Sequence, residues 1–168
     1  MNWPNLISLL RLFSTPLMIW LILTHKMQAA FFVFLAASFS DFLDGLVARL
    51  LKKHTLIGSY LDPLADKALL MGLTVALAIK NLLPLWLVII IVFRDVLIIS
   101  GAILNFMLDL KMTMQPLFIS KLNTVCQMIL VAMVLAMAAL HVSDHIISQS
   151  IMIITGITTM WSGVAYVR

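Results

Sequence analysis

The sequence predicts an all-α integral membrane protein: six transmembrane helices, N-in/C-in, with a short interfacial N-terminal segment, forming one domain over residues 1–168. Three observations predict it. Of 168 residues, 63% are hydrophobic and only 11% charged, where soluble domains carry roughly a quarter charged residues. The apolar residues form continuous runs rather than alternating, which favours helices over a barrel, the two structures that satisfy every backbone polar group in hydrocarbon. The runs also recur at ~20 residues, the length that crosses a bilayer as a helix.

Taken in order, residues 1–11 carry Trp3 and Pro4, suited to an interfacial elbow before the first span. Arg11 interrupts the early apolar stretch and no small-x-small site precedes a polar region, so this start reads as a retained helix and not a removable signal. The first span covers residues 6–23 and is closed by Thr24, His25 and Lys26. The second runs over 28–51, turns polar in its last third, and is followed by the basic turn Lys52-Lys53-His54-Thr55. The third starts near Ser59 and continues to Lys80, where Asn81 and Pro84 break it. The fourth covers 85–108 and carries Arg94-Asp95 in mid-run. A polar loop at 109–116 leads to the fifth span over 117–140, with Lys121, Asn123 and Gln127 near its start. A turn at 141–145 precedes the sixth span, 146–167.

With the N-terminus inside, the inner helix ends hold Arg49, Lys52, Lys53, Lys111 and Arg168, and the outer turns hold Lys26 and Lys80. The positive-inside rule therefore selects N-in/C-in. The net charge of +4 fits cytoplasmic loops against anionic headgroups. No basic tail or aromatic-basic interleaving points to nucleic acid, which is excluded as a partner. The single cysteine, Cys126, permits no intrachain disulfide and reads as a small buried hydrophobe. The twelve methionines read as packing residues.

Against this background one stretch stands out. Residues 41–66 hold four of the seven acidic residues, and the chain has no glutamate. Asp41 and Asp44 are three apart, and Asp62 and Asp66 four apart, so each pair shares a helix face. The chain reverses between the pairs, which makes the second and third helices antiparallel neighbours and brings four carboxylates toward one volume at the cytoplasmic side. Unneutralised, they would repel. An all-oxygen donor set suits hard ions such as Mg²⁺, Mn²⁺ or Ca²⁺, and four aspartates suit a pair of divalent ions of the kind used for phosphoryl chemistry. The alternative is pairing with Arg49 and Lys67 as structural glue, which leaves the spacing unexplained. Gly45 and Ala48 follow one turn on; they either admit a ligand close to the helix backbone or serve small-residue helix packing. Arg49 offers a planar fork for phosphate. Gly58 sits at the head of the third helix, where anions are favoured.

The pattern D-x2-D-G-x2-A-R-x8-G-x3-D-x3-D is met at every fixed position by Asp41, Asp44, Gly45, Ala48, Arg49, Gly58, Asp62 and Asp66, and it resembles the signature of the CDP-alcohol phosphotransferase family. The resemblance implies transfer of a phosphatidyl group from CDP-diacylglycerol to an alcohol, with release of CMP. It implies two divalent cations, Mg²⁺ or Mn²⁺, held by Asp41, Asp44, Asp62 and Asp66, with Asp66 also the general base. It further implies that Asp41, Gly45, Ala48, Arg49 and Gly58 cradle the CDP moiety, and that the protein is a homodimer in the bilayer, most simply a bacterial inner membrane with the site facing the cytoplasm.

Outside the motif, N-W-P-N-L-I-S-L-L-R at 2–11, G-S-Y-L-D-P-L-A-D-K at 58–67, R-D-V-L-I-I-S from Arg94 and I-S-K-L-N-T-V-C-Q from Ile119 are similar to the phosphatidylglycerophosphate synthase and cardiolipin synthase branch. The acceptor is then glycerol 3-phosphate or phosphatidylglycerol, and Lys67, Arg94 and Lys121 are the residues that would hold its phosphate. Each has a second reading: Arg94 as partner of Asp95, Lys67 as counter-ion of the motif, Lys121 as a snorkelling side chain. The second arginine that phosphatidylglycerophosphate synthases carry one to two turns past Arg94 is missing between Ser100 and Leu108. Glycerol 3-phosphate ranks first, narrowly. A cation transporter is the reading from another class, and it predicts ionisable residues spread through the membrane depth; here the motif acids cluster at one end.

Overall fold

A computed structural model describes residues 3–51, 56–107, 118–142 and 145–167, with side chains described at 13–40, 66–101, 120–142 and 146–164. They form six α-helices: α1 (Trp3–Leu23), α2 (Met27–Leu51), α3 (Leu56–Ile79), α4 (Leu85–Met107), α5 (Phe118–Leu140) and α6 (His145–Val167). The number and order match the sequence reading. Two starts differ. α1 is continuous from Trp3, so no elbow separates an interfacial segment from the first span; Pro4 lies in the first turn, which does not use the N–H that proline lacks. α3 begins at Leu56, which places Gly58 inside its first turn and not ahead of it. A glycine there costs a helix at most about 1 kcal/mol, too little to hold the start back to Ser59.

The helices alternate in direction. α1 packs on α2 and α3, α5 on α2, α3 and α6, and α4 on α3 and α6. Direct packing of α2 on α3, expected from their short connection, is not seen among the described residues; α1 and α5 each touch both. Gly72 explains why α1 claims α3. A Cβ at Gly72 would lie 3.0 Å from Ile19 Cδ1 and 3.3 Å from Thr15 Cγ2, so the bare backbone lets α1 approach closely.

At the end away from the aspartates, α1, α3 and α5 stop in the same way. His25, Asn81 and His141 each take a positive φ, 62°, 58° and 54°, a region where histidine and asparagine are enriched among non-glycine residues. The following amide then bonds back across the turn: Lys26 N–H to Leu21 C=O at 2.9 Å, Leu82 N–H to Leu77 C=O at 2.9 Å, and Val142 N–H to Met137 C=O at 3.1 Å. These Schellman-type closures satisfy carbonyls that helix ends leave open. Gln28 Nε2 donates to Ala139 C=O, stapling the start of α2 to the end of α5. Lys80 Nζ donates to His25 Nε2 at 2.8 Å, which holds the ends of α1 and α3 side by side.

The apolar core is built from Met18 and Ile22 of α1, Phe34 of α2, Leu73 and Leu77 of α3, Leu87 and Ile91 of α4, and Leu130 and Leu135 of α5. The surface is apolar too. Trp20, Phe32, Phe39, Phe93, Ile146 and Trp161 are all more than half exposed. α6 is inverted relative to a helix of a water-soluble protein: Thr155, Thr159 and Ser162 are buried, while Ile154, Ile157 and Trp161 face outward. α5 repeats the inversion, burying Asn123 and Gln127 and exposing Val125 and Ile129. Among the described residues, Ser120–Leu140 is the one stretch long and apolar enough to cross a membrane; Phe13–Leu23 and Met27–Ser40 are shorter apolar helices.

The buried polar residues of α5 and α6 form an antiparallel ladder. Asn123 Oδ1 is within hydrogen-bond reach of the hydroxyls of Thr158 at 3.0 Å and Thr159 at 2.9 Å. One turn deeper, Gln127 and Thr155 are both buried, and Gln127 Nε2, Asn123 Nδ2 and Thr155 Oγ1 have no partner among the described residues. Donors and acceptors in such a seam are commonly bridged by ordered water.

Packing at Gly72 yields a first prediction. Gly72→Leu should lower stability by about 1–3 kcal/mol, the usual cost of overpacking, seen as a lower unfolding midpoint in detergent. An unchanged midpoint would show that the α1–α3 contact does not depend on the missing side chain.

Candidate active site

α2 carries Asp41 and Asp44 in its last third, and α3 carries Asp62 and Asp66 in its first half. Only residues 52–55 separate Leu51 from Leu56, too short a connection to cross the bundle. Both aspartate-bearing segments therefore lie toward one end. The side chains of Asp41, Asp44 and Asp62, and of the predicted CDP-binding residues Gly45, Ala48, Arg49 and Gly58, fall outside the described ones, as do Lys52, Lys53 and Lys111. Asp66 is described and half-buried. Among the described residues no group of three His, Cys, Asp or Glu side chains is assembled into a metal site. The donor set itself is chemically suited to hard divalent ions: carboxylates alone, with no thiolate or imidazole at metal spacing.

One residue beyond Asp66 begins a charge cluster inside the bundle. Lys67 Nζ donates to Asp95 Oδ1 at 2.8 Å. Arg94 Nη1 donates to the same oxygen, also at 2.8 Å. Arg94 Nη2 donates to Ser120 Oγ and Ser162 Oγ, each at 2.7 Å, and Nε reaches Ser162 Oγ at 3.2 Å. Arg94 thus ties α4 to α5 and α6, and Lys67 brings in α3. Gly163 leaves room beside the arginine stem, its missing Cβ position 3.9 Å from Arg94 Cγ. Asp95 and Arg94 are 1% and 2% exposed, whereas the Lys67 side chain retains 17%.

The two cations differ in what they have left to give. Guanidinium has five N–H donors and ammonium three. Arg94 commits four to the contacts above, and Lys67 commits one. Among the described residues, Lys67 therefore has more donors left than Arg94 for an incoming anion. Lys121, the third predicted acceptor residue, is exposed and stands next to Ser120 on α5. The structure brings Lys67 and Arg94 together on one carboxylate oxygen, whereas Lys121, exposed and next to Ser120 in sequence, makes no contact with that cluster among the described residues.

Sequence reasoning treated Asp95 only as an alternative partner for Arg94 and gave Ser120 and Ser162 no role. A signal existed. Positions 120, 123 and 127 of α5 and 155, 159 and 162 of α6 repeat at helical spacing, and each set carries polar side chains along one face of a mainly apolar helix. Two antiparallel helices with matching polar stripes bury them against each other.

Comparison with known proteins shows the family. The CDP-alcohol phosphatidyltransferase family model matches residues 1–161. The chain is similar to the CDP-diacylglycerol–glycerol-3-phosphate 3-phosphatidyltransferase of Pseudomonas fluorescens, at 31% identity over 100% of this chain and 89% of that protein. It is 35% identical to the CMP-forming cardiolipin synthase of Rattus norvegicus over 97% of this chain and 59% of the relative. It is 38% identical to the chloroplastic CDP-diacylglycerol–glycerol-3-phosphate 3-phosphatidyltransferase 1 of Oryza sativa subsp. japonica over 79% of this chain and 45% of the relative. The chain spans about half the length of the rice and rat relatives. A match over nearly the whole sequence, with every fixed position of the aspartate motif in place, establishes that the chain belongs to the CDP-alcohol phosphatidyltransferase family.

Proposed function

We propose that the protein is a CDP-diacylglycerol-dependent phosphatidyltransferase of anionic phospholipid synthesis, transferring the phosphatidyl group to glycerol 3-phosphate to give phosphatidylglycerophosphate and CMP. The observation that carries this reading is the complete aspartate motif followed immediately by a buried cationic cluster, Lys67 and Arg94 on Asp95. The motif supplies the transfer chemistry. The cluster supplies positive charge one residue from the proposed base, where an acceptor phosphate needs it.

Asp66 accepts the proton of the acceptor hydroxyl. The freed oxygen attacks the β-phosphorus of CDP-diacylglycerol; one P–O bond forms, and the P–O bond to CMP breaks. Arg49, with Asp41, Gly45, Ala48 and Gly58, holds the CDP moiety, the arginine fork matching phosphate oxygens. Lys67 holds the acceptor phosphate with Arg94 behind it and Lys121 at the mouth. Asp41, Asp44, Asp62 and Asp66 hold two divalent cations, Mg²⁺ or Mn²⁺, which when bound neutralise the pyrophosphate and stabilise the departing CMP.

The outward-facing apolar residues of α5 and α6 and the charge asymmetry of the helix ends support six spans with both termini in the cytoplasm. The site then faces the cytoplasm of a bacterial inner membrane, where nucleotide-linked lipid and soluble acceptor meet. The family resemblance supports a homodimer.

A second reading is favoured by a specific observation. α4 has no arginine after Arg94, and relatives covered over 97% of this chain are named CMP-forming cardiolipin synthases. Phosphatidylglycerol is then the acceptor, and the same residues act on its phosphodiester.

Three outcomes test the proposal. Purified protein given CDP-diacylglycerol should release CMP only when an acceptor is supplied, and lipid extracts should contain phosphatidylglycerophosphate from glycerol 3-phosphate; cardiolipin formed from phosphatidylglycerol in its place would select the second reading. Asp66→Asn should slow CMP release about 10²- to 10⁴-fold, the range for losing a general base, with binding of CDP-diacylglycerol largely kept; undiminished turnover would remove Asp66 from that role. EDTA should stop the reaction and Mg²⁺ or Mn²⁺ restore it, and turnover that ignores chelator would contradict the metal-holding role of the aspartates.

A further inference from the structure

Asp95 is the one carboxylate among the described residues enclosed almost completely inside the bundle, and nothing in the transfer chemistry uses it. Its surroundings are specific. Oδ1 accepts from Lys67 and from Arg94 at 2.8 Å each. Oδ2 is buried and has no partner among the described residues. Arg94 is held in turn by Ser162 and Ser120, and Lys67 spends one of its three donors on Asp95 among the described residues. A lysine side chain has a flexible four-carbon stem and loses much rotamer freedom when it is fixed. A buried carboxylate anchored from behind by an arginine removes that freedom before any ligand arrives.

We propose that Asp95 is a positioning residue for the acceptor: it fixes the Lys67 ammonium, one residue along α3 from Asp66, and the Arg94–Ser162–Ser120 bonds fix Asp95. Arg94 then acts through Asp95 and the helices it ties together, not by gripping the acceptor phosphate itself. This assignment rests on the phosphatidyltransferase reading above and deepens it. It divides the predicted acceptor residues into one that meets the phosphate, Lys67, and one that holds the scaffold, Arg94. It also links the acceptor side of the site to the α5–α6 seam, since both serines belong to those helices.

The chemistry identifies the ligand class. Lys67, Arg94 and Asp95 together leave one positive charge in an interior that is otherwise apolar. The group that complements it is the phosphate of a phosphorylated or phosphatidylated glycerol, presented with its free hydroxyl toward Asp66. Preorganised donors of this kind lower the acceptor's KM without touching the donor lipid.

The test is a steady-state comparison of wild type with Asp95→Asn, varying acceptor and CDP-diacylglycerol separately. The amide is nearly isosteric, and its nitrogen fits where Oδ2 faces no donor, so the substitution removes charge while leaving shape. We expect the acceptor KM to rise about 10- to 100-fold, the usual effect of losing an outer-shell partner, with the KM for CDP-diacylglycerol within about twofold. D95E, which restores the charge, should recover part of the acceptor affinity. Equal increases in both KM values, or none in a folded variant, would overturn the assignment. If Asp95→Asn does not fold, Ser162→Ala removes bonds to Arg94 while keeping all three charges, and should raise the acceptor KM in the same direction by a smaller factor; an unchanged acceptor KM there would overturn it equally. A wild-type protein that releases no CMP with any acceptor would remove the transferase reading and this assignment together. Wild-type turnover with an unmoved acceptor KM in the variants would remove this assignment alone.

Discussion

The structure depends on one carboxylate oxygen. Asp95 Oδ1 meets Lys67 from α3 and Arg94 from its own helix. Arg94 reaches on to α5 and α6 through two serines. Burying these charges separately would cost several kcal/mol for each ion, and removing one partner from a buried pair typically destabilises by about 3–5 kcal/mol. The arrangement is therefore all-or-none: four helices must be in register for any of the three charges to be tolerated. Apolar side chains alone would let α4 slide or rotate against α5 and α6 with little change in contact, because one leucine is much like another to a neighbouring helix. A guanidinium with fixed donor directions removes that freedom.

The same logic runs along the α5–α6 seam. Polar groups turned inward and isoleucine turned outward reverse the usual partition, and the reversal has a simple cause if the surrounding solvent is hydrocarbon. Where lipid covers the outside, apolar surface gains nothing by being buried, and helix association comes from close packing and hydrogen bonds. Gly72 against Ile19 and Thr15 illustrates the packing part. Asn123 with Thr158 and Thr159 illustrates the hydrogen-bonding part. Hydroxyls elsewhere in the helices, such as Thr74 to Met71 C=O and Thr124 to Ser120 C=O, bond back to their own backbone and so need no partner from outside.

Much of this was legible in the sequence because hydropathy and charge are one-dimensional signals. Six helices, their order and most of their ends follow from runs of apolar residues and the polar breaks between them. The family and its chemistry follow from eight residues at fixed spacing, a pattern that needs no knowledge of which helices touch. What escaped was whatever depends on rotation about a helix axis or on choice of neighbour. Sequence proximity says nothing of α1 against α3, a contact that the bare backbone at Gly72 permits. The stops at His25 and His141 were legible as polar breaks, but their left-handed closures carry no glycine to mark them. Asp95 was visible as a charge, but whether it served the motif, its neighbour or a lysine 28 positions away was a question of geometry.

That geometry also changes what the missing second arginine means. If Arg94 gripped the acceptor phosphate directly, the absence of another arginine on α4 would leave the acceptor side of the site short of donors. In the structure Arg94 is largely committed to Asp95 and the serines, and among the described residues Lys67 keeps more donors than Arg94 does. A site of this kind asks less of the acceptor's charge than a pair of forked arginines would, since one ammonium can serve a phosphodiester as readily as a phosphomonoester. On the proposed reading, choice between glycerol 3-phosphate and phosphatidylglycerol falls less on the number of cations than on the space left around Lys67 in the middle of α3. The donor half of the reaction is constrained by a strict motif. On the proposed reading, the acceptor half is constrained by how firmly one lysine is held.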